Sequence, residues 1–369
     1  MKVAIFLSSL GRARGGLETI AAGFARQLAA AGHEVTCVAG RGGAPLPADL
    51  QALPVRWLRL PAVASRGEGL ALQSLSFSAA CFLSPAVRRL LARSDVTLSL
   101  LEIETVLLSR WRARGGPGAG RPHLSYFPGG IDWRWLRRDR STVRVATSHT
   151  VAQTYAGQHG LRIDGVVTPG VDAALGRQPY TVRPQATKLL FTGRLERNKG
   201  VLELLYIFRA LAREQPELTL TMLGHGPLRR RLRAQAEDAG LAARLFLPGA
   251  VAPHRVRRAL GAADLFLFPT HYESFGVAVV EAQMAGLPVV CSDLPAMAEV
   301  AAPAARLLPP RQPQQWIEAV APLLADAESR RRMSEQGRQQ ARRFTWDRVG
   351  QALQRYLRLA LHRGATGAK

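Results

Sequence analysis

MKVAIFLSSLGRARGGLETIAAGFARQLAAAGHEVTCVAG, Met1–Gly40, carries the pattern of one complete folding unit. Val3-Ala-Ile-Phe-Leu7 is a short, unbroken apolar run of the kind that fills a strand covered on both faces. A glycine-bearing loop, Gly11–Gly16, follows it. Ile20, Phe24, Leu28 and Ala31 then recur every three to four residues, which predicts a helix over about Leu17–Ala31. Gly32 stops that helix, and Glu34-Val-Thr-Cys-Val-Ala39 reads as the next strand. Strand, helix and strand in about 38 residues make a βαβ unit, so the sheet is expected to be parallel and covered by helices.

Beyond it, further strands are expected at Val55–Leu60, Val96–Leu101, Pro122–Phe127, Arg144–Thr147 and Gly165–Val167. Around Val171–Pro184 the periodicity lapses and Gly and Pro gather, which reads as a linker. A second alternation begins after it. Strands are expected at Lys188–Thr192, Leu218–Leu223, Leu245–Leu247, Leu265–Phe268 and Pro288–Cys291, with helices near Gly200–Glu214, Pro227–Ala239, Pro253–Gly261 and Gly276–Ala285 and a charged helical tail. The fold class is therefore α/β, with two doubly wound domains in series.

At 369 residues the chain has room for two domains, each with its own core. With 47% apolar and 21% charged residues, 34 Gly and 23 Pro, it is neither collagen-like, low-complexity nor mainly disordered. No apolar run reaches the roughly 18–20 residues that cross a bilayer, which argues against an integral membrane protein. Val3–Leu10 follows a single lysine and lacks a small-residue cleavage site, so it reads as a strand and not as a signal peptide. Cys37, Cys81 and Cys291 are too few and too far apart for a disulfide framework or a thiolate metal site, and they suit a reducing cytosol. The net charge of +23 comes from 46 Arg and 4 Lys against 27 acidic residues. It is spread evenly, +10 over residues 1–173 and +13 over 174–369, with no basic tail or module. That pattern fits G+C-rich coding, and no nucleic-acid partner is expected.

Three loops of the second half share one setting, after a strand and before a helix. Ligands of doubly wound sheets sit at the carboxyl ends of strands, where backbone N–H groups and helix N-termini favour anions. In Gly193-Arg194-Leu-Glu-Arg-Asn-Lys199-Gly200, Gly193 turns the chain, and Arg194 and Lys199 can approach one helix mouth from two sides, as cations holding a pyrophosphate do. Read without a ligand, it is a solvated basic loop. Leu223-Gly224-His225-Gly226-Pro227 permits close backbone approach before a helix-starting proline, or is an ordinary tight turn. The third, Pro269–Pro288, carries Glu273, a glycine at the helix start, Gly276, and Glu281 eight residues beyond Glu273. That separation corresponds to about two helical turns, roughly 12 Å. Carboxylates accept two hydrogen bonds at once, so one can take hydroxyls of a donor sugar and the other those of a ribose. Glu281 lies among Val277, Val279, Val280, Ala282 and Met284, where an unpaired carboxylate is costly, so it is unlike a solvated helix face.

The set FTGRLERNKG, MLGHGP, LFLPGAV, AADLFLFPTHYESFGVAVVEAQMAGLPVV and GRARGGLE resembles the large family of retaining, nucleotide-sugar-dependent glycosyltransferases of GT-B fold, the glycosyl transferases of group 1, family 4. The Glu–seven residues–Glu element is that family's signature. The likeness is strong over about Leu189–Val300 and moderate over Met1–Gly40; VVTPGVD (Val166–Asp172) resembles the segment before the family's linker. Phe344-Thr-Trp346 with Val349, Leu353 and Tyr356 resembles its final helix. The resemblance implies two Rossmann-like domains facing across a cleft: an acceptor-side domain over 1–173, a donor-binding domain over 186–340, and a helix over 341–369 that crosses back. It implies Arg194, Lys199 and Glu273 as catalytic residues, the two cations neutralising the diphosphate leaving group and Glu273 binding the donor sugar. For donor binding it implies Glu281 on the ribose, backbone at Ser274, Phe275, Gly276 and Val277, Gly16 at the phosphates, Gly193, Gly224 and Gly226 in the loops, and the base near Pro248–Val251, at Gly249 and Val251. It implies no metal and no cofactor beyond the UDP- or GDP-sugar donor, and a glycan or lipid-linked acceptor in surface polysaccharide or lipopolysaccharide synthesis. The family often places a histidine at the end of a strand resembling Leu124–Pro128, but here that end carries Tyr126 and Phe127. His123, His149 and Asp132 are near in sequence, and the catalytic base stays unassigned among them or absent.

Two segments suit a membrane surface. Asp132–Arg140 places Trp133 and Trp135 among four arginines, and Gly69–Arg93 is apolar with a basic end. They predict a cytoplasmic protein in peripheral contact with the anionic inner face of the membrane; each is equally readable as a core-facing helix with a solvated edge. The residues fit two other functions less well. For an NAD(P)-dependent oxidoreductase, Gly11–Gly16 lacks the G-x-G-x-x-G spacing and the second strand ends in Ala39-Gly40-Arg41, not an acid. A non-catalytic basic module binding glycan or nucleic acid leaves Glu273 and Glu281 without a role, and no helix-turn-helix or aromatic RNA motif is evident.

Overall fold

The computed structural model describes residues 1–9, 16–41, 51–62, 70–129, 136, 138–177 and 180–366. They divide into two compact units, Met1–Gly170 with Trp346–Lys369, and Val171–Thr345.

The first unit holds a sheet of β1 (Lys2–Leu7), β2 (Glu34–Arg41), β3 (Arg56–Pro61), β4 (Val96–Ser99), β5 (His123–Phe127), β6 (Val143–Ala146) and β7 (Gly165–Val166), in the order β3-β2-β1-β4-β5-β6-β7. Every pairing is parallel, with Val3 opposite Val35 on one side and Val96 on the other. The strands are apolar on both faces because helices cover both: α1 (Gly16–Ala30), α2 (Leu70–Leu83), α3 (Pro85–Arg93), α4 (Glu102–Ala113) and α5 (His149–His159). Ile20, Phe24 and Leu28 of α1 enter the same core as Val3, Ile5 and Leu7.

The second unit repeats the plan. Its strands β8 (Lys188–Thr192), β9 (Thr219–Leu223), β10 (Leu245–Gly249), β11 (Leu265–Phe268), β12 (Val289–Ser292) and β13 (Arg306–Leu308) run in the order β10-β9-β8-β11-β12-β13, again all parallel. Between them stand α6 (Val201–Glu214), α7 (Arg229–Asp238), α8 (Pro253–Ala262), α9 (Val277–Ala285) and α10 (Pro295–Ala301), and α11 (Pro313–Ala325) and α12 (Ala327–Ala341) follow β13. In each sheet the strand order reverses once, at β1/β4 and at β8/β11, which opens a crevice at the carboxyl ends of those strands.

The last helix, α13 (Trp346–Thr366), belongs to the first unit. Val349, Leu353, Leu357 and Ala360 join its core, and Arg363 Nη1 donates to Asp164 Oδ1 at 2.7 Å.

Two expectations are corrected. The stretch Val171–Pro184 is not a free linker but part of the second unit. The Val171 N–H donates to Phe344 O at 2.8 Å, Tyr180 Oη donates to Asp264 O at 2.8 Å, and the fully buried Arg330 guanidinium holds the carbonyls of Arg183, Pro184, Leu323 and Leu324. The charged tail also hides a three-residue strand, β13, too short for periodicity to reveal. The three cysteines are free and buried, and burial pushes the Cys37 and Cys291 thiols up to about 12.

Candidate functional site

The loops after β8 and β11 meet at the order reversal of the second sheet. Gly200 sits at φ +64° between a short turn, Arg197–Lys199, and α6. A Cβ there would lie 1.8 Å from Pro269 O, so only glycine lets the two loops touch. Asn198 O accepts from the His271 N–H at 2.8 Å and from Thr270 Oγ1 at 3.1 Å, which zips the loops together. The result is an ion pair between Lys199 Nζ and Glu273 Oε1, with side chains 13% and 14% exposed. Lys199 Nζ also stands 5.8 Å from the centre of the Phe268 ring, and His271 Nε2 lies 3.2 Å from Glu203 Oε1.

The β8, β9 and β10 ends are bound to one another through glycine. Gly193 N–H donates to Leu223 O and Gly224 N–H to Gly249 O, both at 2.9 Å. A Cβ on Gly224 would come within 1.8 Å of Gly193 O, and on Gly226 within 2.4 Å of Leu195 O. Gly249 and Val251 follow on the β10 end, Gly249 with open space at its Cα.

Beyond Glu273, α9 starts at Val277, and Gly276 at its amino end provides no capping side chain. Gly276 O accepts from the Val279 and Val280 N–H groups at 2.9 and 3.3 Å, so the N–H groups an anion beside Ser274, Phe275 and Gly276 would meet are those of Val277 and Ala278. Glu281 projects from the second turn. Thr270–Gly276 is not helical, so the reckoning of 12 Å from two helical turns does not describe the separation of the two glutamates. Among the described residues Glu281 has no hydrogen-bond or ion-pair partner, and burial first, then the charge of Asp172, raises its carboxyl from 4.5 to about 7. Asp172 is itself held by Arg257 Nη2 at 2.8 Å.

Arg194 lies on the same loop with its side chain 60% exposed, its Nη1 3.0 Å from Glu196 Oε1, two residues along. No hydrogen bond or ion pair links it to Lys199–Glu273 among the described residues. Gly16 begins α1, is exposed, and has open space where a Cβ would stand; the remainder of its loop, Leu10–Gly15, lies outside the described residues, as do Asp132, Trp133 and Trp135. His123 is buried between Thr97 Oγ1 (2.6 Å to Nδ1) and Ser99 Oγ (2.9 Å to Nε2), which makes it a structural histidine.

Sequence reasoning missed a second acidic place, at the order reversal of the first sheet. Glu104 of α4 accepts from the Ser8 N–H at the end of β1, at 3.0 and 3.2 Å to its two oxygens, and from Ser74 Oγ at 3.3 Å. Burial raises it to about 7. Glu102 accepts from Tyr155 Oη at 2.8 Å, while its Oε2 is buried without a partner. The only available signal was two acids in an otherwise apolar helix start, Leu100–Leu108.

Residues 176–340 match the model of the family described as glycosyl transferases group 1, and residues 14–175 that of glycosyltransferase family 4. The chain belongs to this family of GT-B glycosyltransferases. It is 31% identical to a D-inositol 3-phosphate glycosyltransferase of Segniliparus rotundus over 239 residues, 61% of this chain and 53% of that one. It spans about half the length of the curated relatives it matches. Sucrose-phosphate synthase of Thermosynechococcus elongatus superimposes with a TM-score of 0.79 over 100% of both chains at 18% identity. HepE of Anabaena, solved with UDP and glucose, gives 0.75 over 97% of this chain and 99% of its own, also at 18%. These likenesses show the fold.

Proposed function

We propose that the chain moves a hexose from a UDP- or GDP-sugar to a glycan or lipid-linked acceptor, with retention of anomeric configuration and without a metal, in the building of bacterial surface polysaccharide or lipopolysaccharide. The observation that carries the reading is the Lys199–Glu273 pair beside an uncapped helix start, with the unpartnered Glu281 in the helix that follows.

In this reading the bond from the anomeric carbon to the β-phosphate oxygen breaks and its electron pair stays on the phosphate. Lys199, Arg194 and the N–H groups near Phe275–Val277 stabilise that charge as it develops, which lowers the barrier. Glu273 gives up its lysine partner to hydroxyls of the sugar, and Glu281 takes those of the ribose. The acceptor oxygen bonds to the face the phosphate leaves, and its proton goes to the departing phosphate, so no side chain is needed as base. Gly193, Gly224 and Gly226 admit the phosphates, and Gly249 and Val251 flank the base.

The enzyme works at the cytoplasmic face of the membrane, in peripheral contact with anionic lipid, where a lipid-linked acceptor is met. The relative from S. rotundus is named for inositol 3-phosphate, so that polyol phosphate is the second acceptor to assay.

Thermal-shift measurements with UDP, GDP, ADP, NAD(H) and oligonucleotides test the donor class. A ligand at 100 times its dissociation constant stabilises by about 2.7 kcal/mol. UDP or GDP is the expected stabiliser, followed by slow hydrolysis of the matching nucleotide-sugar without acceptor, unchanged by EDTA. Stabilisation by NAD(H) or oligonucleotide alone would overturn the reading.

A further inference from the structure

Helix α2 turns Phe77 and Cys81 into the core, and polar side chains go in with them while leucines stay out. Its polar side chains Gln73, Ser74 and Ser78 are buried, whereas Leu72, Leu75 and Leu83 stand 57%, 47% and 79% exposed. With the exposed Ala79, these positions are spaced three, four and four residues apart and fall on one side of the helix. A helix at a protein surface in water carries its leucines inward, and α2 has no charged residue to offset the exposed row.

The chain then breaks sharply. Ser84 Oγ accepts from the Val87 N–H at 3.3 Å, Arg88 Nε donates to Phe82 O at 3.0 Å, and α3 leaves at 80° to α2. Val87 and Leu91 turn α3 onto the core, which leaves Arg89 and Arg93 exposed and without an acidic residue on either helix. An apolar row thus ends at a cationic one. No single described helix is long and apolar enough to cross a membrane, and α2, with 14 residues and a polar buried side, falls short of the roughly 20 a span needs.

We propose that the α2–α3 corner docks on an anionic lipid leaflet, with α2 lying in the interface plane, Leu72, Leu75 and Leu83 among the acyl chains and Arg89 and Arg93 at the phosphates. The inference rests on the membrane-facing part of the function proposed above and names the surface that performs it. Charge selects lipid over a second copy of the chain. A second copy of the chain would bring another +23 to this face, with no acidic residue on α2 or α3 to meet Arg89 and Arg93.

The test is flotation of the purified protein with vesicles of phosphatidylcholine alone and of phosphatidylcholine mixed equally with phosphatidylglycerol, at low and high salt. Binding is expected on the mixed vesicles and weakens as salt screens the arginines. Leu72→Glu/Leu75→Glu/Leu83→Glu removes it, each leucine accounting for about a tenfold loss of partitioning. Arg89→Glu/Arg93→Glu removes the preference for phosphatidylglycerol. No flotation of the unaltered protein, unchanged flotation of the leucine variant, or a dimer in solution that the leucine variant dissociates would each overturn the proposal. Nucleotide-induced thermal shifts of the same variants separate the two readings. They stay at the unaltered value if only docking is lost, and a protein that floats but is stabilised by no nucleotide fails as a transferase while keeping its docking surface.

Discussion

Replacing Glu281 by glutamine should make the protein more stable and less able to bind its donor, and the gain should depend on pH. The carboxyl titrates near 7 in the folded chain against 4.5 ordinarily, because burial and Asp172 oppose its charge. The folded state therefore holds this proton more tightly than the unfolded one. Below pH 4.5 both states are protonated and the group costs nothing. As pH rises from 4.5 to 7 the unfolded state is stabilised by ionising while the folded carboxyl stays protonated, so stability falls, and above 7 the ionised carboxylate remains as a standing penalty. At about 1.4 kcal/mol per pH unit the penalty is about 2 to 3 kcal/mol, the lower figure allowing for the side chain's partial exposure. Glutamine keeps the shape and removes the charge. Glu281→Gln should raise the stability of the second unit by about 2 to 3 kcal/mol at pH 8, or about 4–10 °C in its melting temperature, and by almost nothing at pH 4. Loss of a charge-assisted bond to a ribose should weaken nucleotide binding about 10- to 100-fold at pH 8. Thermal unfolding at the two pH values and nucleotide titration at pH 8 read both effects. An equal gain at pH 4 and pH 8, or no gain at either, would refute the burial argument; unaltered nucleotide affinity would refute the assignment to ribose.

Three other outcomes are expected. Lys199→Ala should lower the rate of sugar transfer, or of donor hydrolysis, about 10²–10³-fold, as removal of one preorganised donor does, with the far-ultraviolet circular dichroism spectrum unchanged. Gly224→Ala places a methyl 1.8 Å from Gly193 O at φ +145°, which should destabilise the second unit by about 2–4 kcal/mol in urea unfolding and abolish nucleotide binding. Glu104→Leu leaves the buried Ser8 N–H unpaired and should cost the first unit about 1–3 kcal/mol in the same assay.

The strands were legible because both faces of a parallel sheet are buried, so runs such as Lys188–Thr192 and Leu265–Phe268 end where their helices' loops begin. The loops that carry the candidate site could be read for the same reason, since each glycine-bearing stretch falls between a buried strand and a periodic helix. What could not be read was contact. Lys199 and Glu273 are 74 residues apart, and nothing in either loop says that their side chains pair. The shape of Thr270–Gly276 was lost because a spacing of eight residues suggests helix while the helix starts only at Val277. Glu102 and Glu104 escaped notice because their partners, Tyr155, Ser8 and Ser74, come from three distant segments. In α2, composition pointed to an apolar helix, but only the fold shows that Ser74 and Ser78 point in and Leu72, Leu75 and Leu83 out.

Because α13 completes the core that β1 begins, the order of synthesis and the order of assembly must differ. Phe24 and Tyr126 share their hydrophobic cluster with Val349, Leu353 and Leu357, which leave the ribosome long after them. At about 5–20 residues per second, Gly170 waits roughly 10–40 seconds for that closing helix. Val171–Thr345 forms a compact unit with its own core, so it is expected to settle during the delay. The half made first is thus the half finished last, and a chain cut short at Thr345 would lose the older unit while keeping the younger one.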